Sequence, residues 1–98
     1  MERYVLRLFV AGQTPSSQQA RHNLDRICAD HLTGNCQITV IDILADIEQA
    51  EAHKVLATPT LIKESPTPLR RIIGDLSDTQ KVLAALSLPF QPASGTQS

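Results

Sequence analysis

The residues of this chain best suited to chemistry are two cysteines, Cys28 and Cys36, and the histidine between them, His31. A catalytic thiol is typically an exposed thiolate at a helix N-terminus. Cys28 instead lies on an apolar stripe near the C-terminal end of a predicted helix, so we interpret it as a small core residue. Cys36 begins a predicted strand after a turn, which makes it the better candidate for a functional thiol. We expect both cysteines to be reduced, as is usual inside cells.

Cys28 and His31 also form a CxxH pair, with His22 upstream and Cys36 downstream. A structural zinc site needs four ligands whose lone pairs converge tetrahedrally. In helical projection, His22 is rotated well away from both Cys28 and His31. We therefore predict no metal site.

Other catalytic signatures are missing from the sequence. The junction from Gly12 to Pro15, between the first predicted strand and helix, contains no cysteine. The phosphate-binding patterns GxxxxGK[ST] and GxGxxG and the nucleophile pattern GxSxG are absent from the chain. Asp42 and Asp46 lie at the end of a predicted strand, where turn and cap roles explain them equally well. We predict a protein that is not an enzyme and binds no cofactor.

The composition also argues against nucleic-acid and membrane partners. The formal net charge is −1 and aromatic residues make up 3%, too few for a base-stacking surface. No apolar stretch is long enough to span a membrane, and the N-terminus lacks a signal-peptide pattern, so we expect a cytoplasmic protein. The length predicts one domain, residues 1–88, followed by a flexible tail, residues 89–98.

The N-terminal half has the pattern of a βαβ unit with parallel strands. Tyr4–Val10 is almost wholly apolar, as in a central strand that is covered on both faces. Thr14 suits the N-cap of a helix and Pro15 its first position. Apolar residues then recur at helical spacing to about Leu32. Gln37–Ile43 is the second predicted strand.

The middle of the chain predicts a short helix and two short strands. Asp46 and Gln49 are spaced as a capping pair for a helix that runs to about Val55. Three X-Pro pairs follow closely and disfavour further helix. The segment is therefore predicted to form strands near Thr60–Lys63 and Leu69–Ile73, joined by a proline-rich turn.

The last element is ambiguous. Ser77 and Gln80 are spaced as a capping box ahead of a short helix. The sequence KVLAALSL is nevertheless short and apolar, so its periodicity is compatible with either a helix or a strand.

With a helix at the end, the order β-α-β-α-β-β-α is that of thioredoxin-like folds, and the predicted fold class is α/β. Thr58-Pro59 stands where that fold has a cis-proline, so the resemblance implies a cis peptide bond there.

Arg70 and Arg71 follow the proline-rich turn. In a strand their side chains point to opposite faces, so we expect one to be exposed and the other to pair, with Asp75 as a candidate. One interpretation is an edge strand protected by charge against aggregation. The other is an interface in which the guanidinium groups bind carboxylates of a partner.

Four stretches resemble, in order and spacing, the KaiB family of bacterial circadian clock proteins: YVLRLFVAGQTPSS, VIDIL, KVLATPTL and LRRIIGDLSDTQKVLAALSL. The resemblance runs from Tyr4 to Leu88. It implies a non-enzymatic regulator that docks on the KaiC-type ATPase ring, opposes KaiA-stimulated KaiC autophosphorylation and competes with a sensor histidine kinase that has a similar domain.

The resemblance also implies a metamorphic fold. A resting homo-oligomer, a tetramer or dimer, would have the order βαββααβ, and a binding-competent monomer the thioredoxin-like order βαβαββα. Two packings of one sequence can coexist only if their free energies differ by a few kcal/mol.

Individual residues match family positions. Lys54 matches a lysine that contacts KaiC, and Arg70 and Arg71 match an arginine pair. The positions that match residues tied to the two folds or to turns are Tyr4, Thr58, Pro59, Pro66, Pro68, Gly74 and Asp75.

The chain departs from the family in three places. It has Pro66-Thr67-Pro68 for three consecutive prolines, Ala85 for glycine and Ser87 for aspartate. Alanine favours a helix over glycine by about 1 kcal/mol, so we expect Ala85 to favour the thioredoxin-like arrangement. The departures leave open a stress-response relative outside a true oscillator. Two further alternatives also stay open: a thioredoxin-like redox protein and a self-assembling structural module.

Overall fold

The computed structural model describes residues 3–32 and 35–86, so Ser87 and the tail predicted at 89–98 lie outside the described residues. The elements are β1 (Tyr4–Val10), α1 (Pro15–His31), β2 (Cys36–Asp42), α2 (Ile47–Ala52), β3 (Thr60–Ser65), β4 (Arg70–Ile73) and α3 (Thr79–Ala85). This order is the predicted thioredoxin-like one.

The four strands form one sheet in the order β2-β1-β3-β4. β1 runs parallel to β2 and antiparallel to β3, and β3 runs antiparallel to β4. The prediction of a central first strand is confirmed, because Leu8 and Phe9 point to opposite faces and are both fully buried. β2 and β4 are the two edges.

Two apolar clusters cover the sheet. The larger packs the α1 and α3 side of the sheet and includes Leu8, Leu24 and Leu83. The smaller is built around Phe9, Ile41 and Ile62 on the other face, where α2 lies. The α2 face therefore has much less buried apolar surface than the α1 and α3 face.

The start of α1 matches its prediction. Thr14 is the N-cap, its hydroxyl oxygen accepts a hydrogen bond from the Ser17 amide at 3.2 Å, and Pro15 is the first helical residue. This bond satisfies an amide group that the helix N-terminus would otherwise leave unpaired, and Pro15 has no amide hydrogen to satisfy. The Gly12 amide donates to an oxygen of Asp42 at 3.0 Å, so Asp42 has the structural role expected of it.

Several boundaries differ from their predictions: β2 is shifted by one residue, β4 begins one residue later, and three further differences have local causes. α2 ends at Ala52 rather than near Val55, because Lys54 adopts a left-handed backbone with φ +55°. β3 continues to Ser65 through its pairing with β1. The N-cap of α3 is Asp78 rather than Ser77, since the Asp78 carboxylate accepts from the Lys81 amide at 3.2 Å. The ambiguous KVLAALSL segment is helical as far as Ala85.

The prediction that both cysteines are reduced is wrong. A disulfide joins Cys28 and Cys36, whose Cα atoms are 6.4 Å apart. The cause is the βαβ arrangement: the C-terminal end of α1 lies beside the start of β2, which brings the two side chains within disulfide range. Cys28 does lie in the core as predicted, with 7% of its surface exposed.

The peptide bond of Thr58-Pro59 is cis, as the resemblance implied. The bonds of Ser65-Pro66 and Thr67-Pro68, which flank the β3–β4 turn, are also cis. Among the described residues, no helix combines the length and apolarity that a membrane span requires.

Candidate protein-docking site

Lys54 stands at a sharp turn of the backbone directly after α2. The Lys54 amide donates to the Glu51 carbonyl at 3.1 Å, and the Val55 amide donates to the Ala50 carbonyl at 2.9 Å. This pair of bonds is the Schellman motif, in which the residue after the C-cap adopts the left-handed conformation. Glycine usually takes that position, so a lysine there carries a conformational cost. The Lys54 side chain is exposed at the surface.

Arg71 of β4 forms hydrogen bonds to the same turn. Its guanidinium donates to the carbonyl oxygens of His53 and Lys54, the second at 3.4 Å. These carbonyls lie just past α2, where helix geometry leaves acceptors unpaired and a cation is favourable. The expectation that one of the two arginines pairs with Asp75 is wrong, because this pairing arginine binds backbone oxygens of the α2 turn.

Arg70 is exposed but lies on the other face of β4. It stands opposite Lys63 in the strand register, whereas Arg71 stands opposite Ile62. Neither ion pair found among residues 3–32 and 35–86 includes Arg70. The structure therefore brings Lys54 and Arg71 together and leaves Arg70 apart from them.

Apolar side chains surround the Lys54 turn at the surface. Leu56 is 96% exposed, and Ile47 and Ile73 are each 62% exposed. A groove of about 520 Å³ is lined by Ile43, Ile47, Ala50, Glu51, Lys54, Val55 and Leu56. An adjoining groove of about 290 Å³ is lined by Lys54, Leu56, Thr60, Arg71 and Ile73. We call these two grooves and their lining the α2–β4 surface; Lys54 and Leu56 border both grooves.

A half-buried polar network lies between the end of α2 and the sheet, next to this surface. The Arg7 guanidinium donates to a Glu64 carboxylate oxygen at 2.5 Å, and His53 Nε2 lies 3.2 Å from the same oxygen. His53 Nδ1 lies 3.0 Å from the Gln49 carbonyl, and the His53 ring packs on Phe9 with centroids 5.3 Å apart. The network ties the end of α2 to β1 and β3.

The segment after β4 is anchored elsewhere. Gly74 has φ +123°, a conformation that side chains rarely adopt, and its amide donates to the Pro59 carbonyl at 3.0 Å. The buried Asn23 side chain of α1 donates to the Asp75 carbonyl at 2.8 Å. Gly74, Asp75 and Pro59 therefore have structural roles in joining β4 to β3 and α1.

The remaining predicted fold residues are spread over the molecule. Tyr4 is half-buried at the start of β1, paired with Cys36 of β2. Pro66 and Pro68 lie in the β3–β4 turn, and Ala85 is the last residue of α3. These residues and the α2–β4 surface do not form one site.

The sequence indicated Lys54 and Arg71 as candidates but did not indicate the apolar part of the surface. Ile47 lies in a predicted helix and Ile73 in a predicted strand, and periodicity does not show which faces of these elements stay uncovered. His53 was also missed. One available signal was Leu56, an apolar residue placed between a helix end and Thr58-Pro59, outside any periodic pattern.

Thiol and metal chemistry find little support at this surface. Both cysteines are bonded to each other at the far end of β2 from it. Across the described ranges, no three or more histidine, cysteine or acidic side chains gather as metal ligands would.

Comparisons with known proteins agree on one family. A family model described as the KaiB domain matches residues 7–88. The chain is 48% identical over 88 residues to circadian clock protein KaiB3 of Synechocystis sp., covering 90% of this chain and 86% of that protein. It is 50% identical over 88 residues to the circadian clock oscillator protein KaiB of Rippkaea orientalis, covering 90% of this chain and 85% of that protein.

Solved structures show the same architecture. The solution structure of the N-terminal domain of Synechococcus elongatus SasA matches with a TM-score of 0.73 at 24% identity, covering 89% of this chain and 86% of that one. Mitochondrial thioredoxin 3 of Saccharomyces cerevisiae matches with a TM-score of 0.70 at 17% identity, covering 90% and 81%. At these identities the likeness concerns the fold alone, which is thioredoxin-like.

Proposed function

The chain belongs to the KaiB family, and from this premise we propose that it is a non-enzymatic clock regulator that docks on a KaiC-type ATPase ring through the α2–β4 surface. The observation that carries the proposal is the exposed apolar surface around Lys54. Monomeric proteins rarely leave contiguous apolar surface uncovered unless it binds something. A cytoplasmic location follows from the partner.

The surface has the composition of a docking site. Most of its lining is apolar, with Leu56 almost fully exposed, and Lys54 and Glu51 add charges beside the apolar side chains. In such a surface the apolar contacts supply affinity, while the charges set orientation and association rate. Lys54 is then the direct contact to an acidic group of the ATPase.

Arg71 is a positioning residue in this proposal. Its guanidinium is already committed to the His53 and Lys54 carbonyls, so it fixes the turn that displays Lys54. Arg70 lies on the opposite sheet face and contributes little to docking on the ATPase.

The SasA N-terminal domain supports a competitive role. Two domains with one fold can present the same surface to one ATPase, so binding of this chain would exclude such a sensor domain of a histidine kinase. Bound in this way, the chain would also oppose KaiA-stimulated autophosphorylation of the ATPase.

The test is gel filtration with light scattering after this protein is incubated for hours with a KaiC-type ATPase and ATP. We expect a ring-sized peak that gains mass. Lys54→Glu should weaken binding on the order of tenfold or more. Arg26→Glu reverses an exposed charge on α1, across the sheet from the surface, and should bind as wild type does.

Arg71→Ala and Arg70→Ala separate positioning from general charge. We expect Arg71→Ala to weaken binding and Arg70→Ala to leave it nearly unchanged. Equal losses in both variants, or wild-type binding by Lys54→Glu, would contradict the assignment of the α2–β4 surface. No complex with the wild-type chain would contradict the proposed partner.

A further inference from the structure

The docking proposal leaves the cysteine pair without a role. Cys28 lies near the C-terminal end of α1 with 7% of its surface exposed, and Cys36 is the half-buried first residue of β2. Their Cα atoms are 6.4 Å apart and eight positions separate them in sequence. The bond closes a short connection that contains the buried Leu32.

We propose that Cys28 and Cys36 are a reversible redox couple, which a low-molecular-weight disulfide such as glutathione disulfide oxidises and a dithiol reduces. The two sulfurs already lie together in the folded chain, so oxidation requires no rearrangement of the sheet. Disulfides of proteins in reducing compartments are usually transient, which fits a couple that responds to redox state rather than a permanent cross-link.

The unequal exposure of the two cysteines sets the order of the two exchange steps. The Cys36 thiol gives its proton to solvent, and its thiolate attacks one sulfur of the oxidant. The bond between the two sulfurs of the oxidant breaks, so that one half forms a mixed disulfide with Cys36 and the other half leaves as a thiolate. The Cys28 thiolate then attacks Cys36 Sγ, forms the internal disulfide and expels the second thiolate. The two protons from the cysteines balance the two thiols released, and the protein loses two electrons to the oxidant.

The effect of oxidation on stability is confined to the N-terminal βαβ unit. The bond joins α1 to the start of β2, whereas the α2–β4 surface adjoins Ile43, past the opposite end of that strand. Cross-linking restricts the unfolded chain and so stabilises the folded one. Oxidation therefore changes the stability of the βαβ unit without altering the groups of the docking surface.

The test combines mass spectrometry with thermal unfolding of the full chain, and no readout depends on an ATPase. After incubation with glutathione disulfide, we expect a mass lower by two hydrogens and no maleimide labelling under denaturing conditions. Reduction with dithiothreitol should restore two labelled thiols and lower the Tm on the order of 10 °C.

Cys36→Ser is the matched control, because it removes the bond at the half-buried position and leaves the buried Cys28 in place. Its Tm should not respond to dithiothreitol. Two labelled thiols in the wild type after the oxidant, or a covalent dimer in place of the internal bond, would overturn the proposal. So would a wild-type Tm that is the same in the oxidised and reduced states.

Discussion

The βαβ unit and the part of the chain that follows it are built differently. The first has two seven-residue strands, a helix of 17 residues with a proline start and a disulfide. The second has strands of six and four residues and helices of six and seven. It also has two non-glycine residues with positive φ, Lys54 and Leu76.

The two parts also differ in where apolar side chains lie. The α1 stripe, including Leu24 and Ile27, is fully buried, whereas Leu56 and Ile73 of the later part are mainly exposed. The first part therefore supplies a rigid scaffold. The second has apolar surface left for a partner, which is the physical reason to place docking there.

The largest expected effect contrasts a scaffold leucine with a surface leucine. Leu24→Ala removes a fully buried side chain and should lower the free energy of unfolding by about 3 kcal/mol. Leu56→Ala removes one that is 96% exposed and should change it by about 0.5 kcal/mol or less, while weakening docking. Urea denaturation measures both, and similar losses would break the contrast.

The next effect concerns one hydrogen bond that joins the two parts, in addition to the pairing of β1 with β3. Asn23→Ala removes the donor to the Asp75 carbonyl and should cost about 1 kcal/mol, because a partly buried acceptor loses its partner. Hydrogen exchange should then speed up in residues 74–86 more than in β1. Gln19→Ala, which removes an exposed neighbour on α1 that donates to Asn23, is the control with a smaller expected cost. Uniform acceleration over the whole chain would show that the two parts are not separable.

A gain of stability should come from the Lys54 turn. Lys54→Gly relieves the left-handed backbone, and we expect about 1 kcal/mol of stabilisation. Lys54→Ala keeps the strain and removes the same charge, so it should not stabilise. Both should weaken docking, because both remove the positive charge proposed to contact the ATPase. A stabilised Lys54→Ala would contradict the conformational explanation.

The smallest effect lies at the end of α3. Ala85→Gly should cost less than about 1 kcal/mol, since Ala85 is the last helical residue and half-buried. We expect lower helical ¹³C shifts across residues 78–86. Unchanged shifts would remove the argument that Ala85 favours the thioredoxin-like arrangement.

Most of the fold could be predicted from the sequence because the elements of the βαβ unit are long and strongly patterned. Tyr4–Val10, Thr14 and Pro15 occupy the predicted positions. The end of α2 could not be predicted, because Lys54 adopts a conformation that its residue type disfavours. The disulfide was missed because a spacing of eight residues says nothing about side chains until the crossover is folded.

The candidate site combines residues that the resemblance indicated with residues that only the structure brings together. The resemblance indicated Lys54 and Arg71 as candidates, but the bonds of Arg71 to the α2 turn depend on the pairing of β4 with β3, which local patterns do not encode. The exposed apolar residues were missed for a similar reason. Whether a side chain such as Ile73 is covered is decided by the tertiary packing around it.

The most direct test of the account is hydrogen exchange of the chain alone and in complex with a KaiC-type ATPase and ATP. We predict slower exchange in residues 47–56 and 71–73 in the complex, with α1 unchanged. Protection confined to α1 or β2, with none near Lys54, would contradict the assignment of docking to the α2–β4 surface.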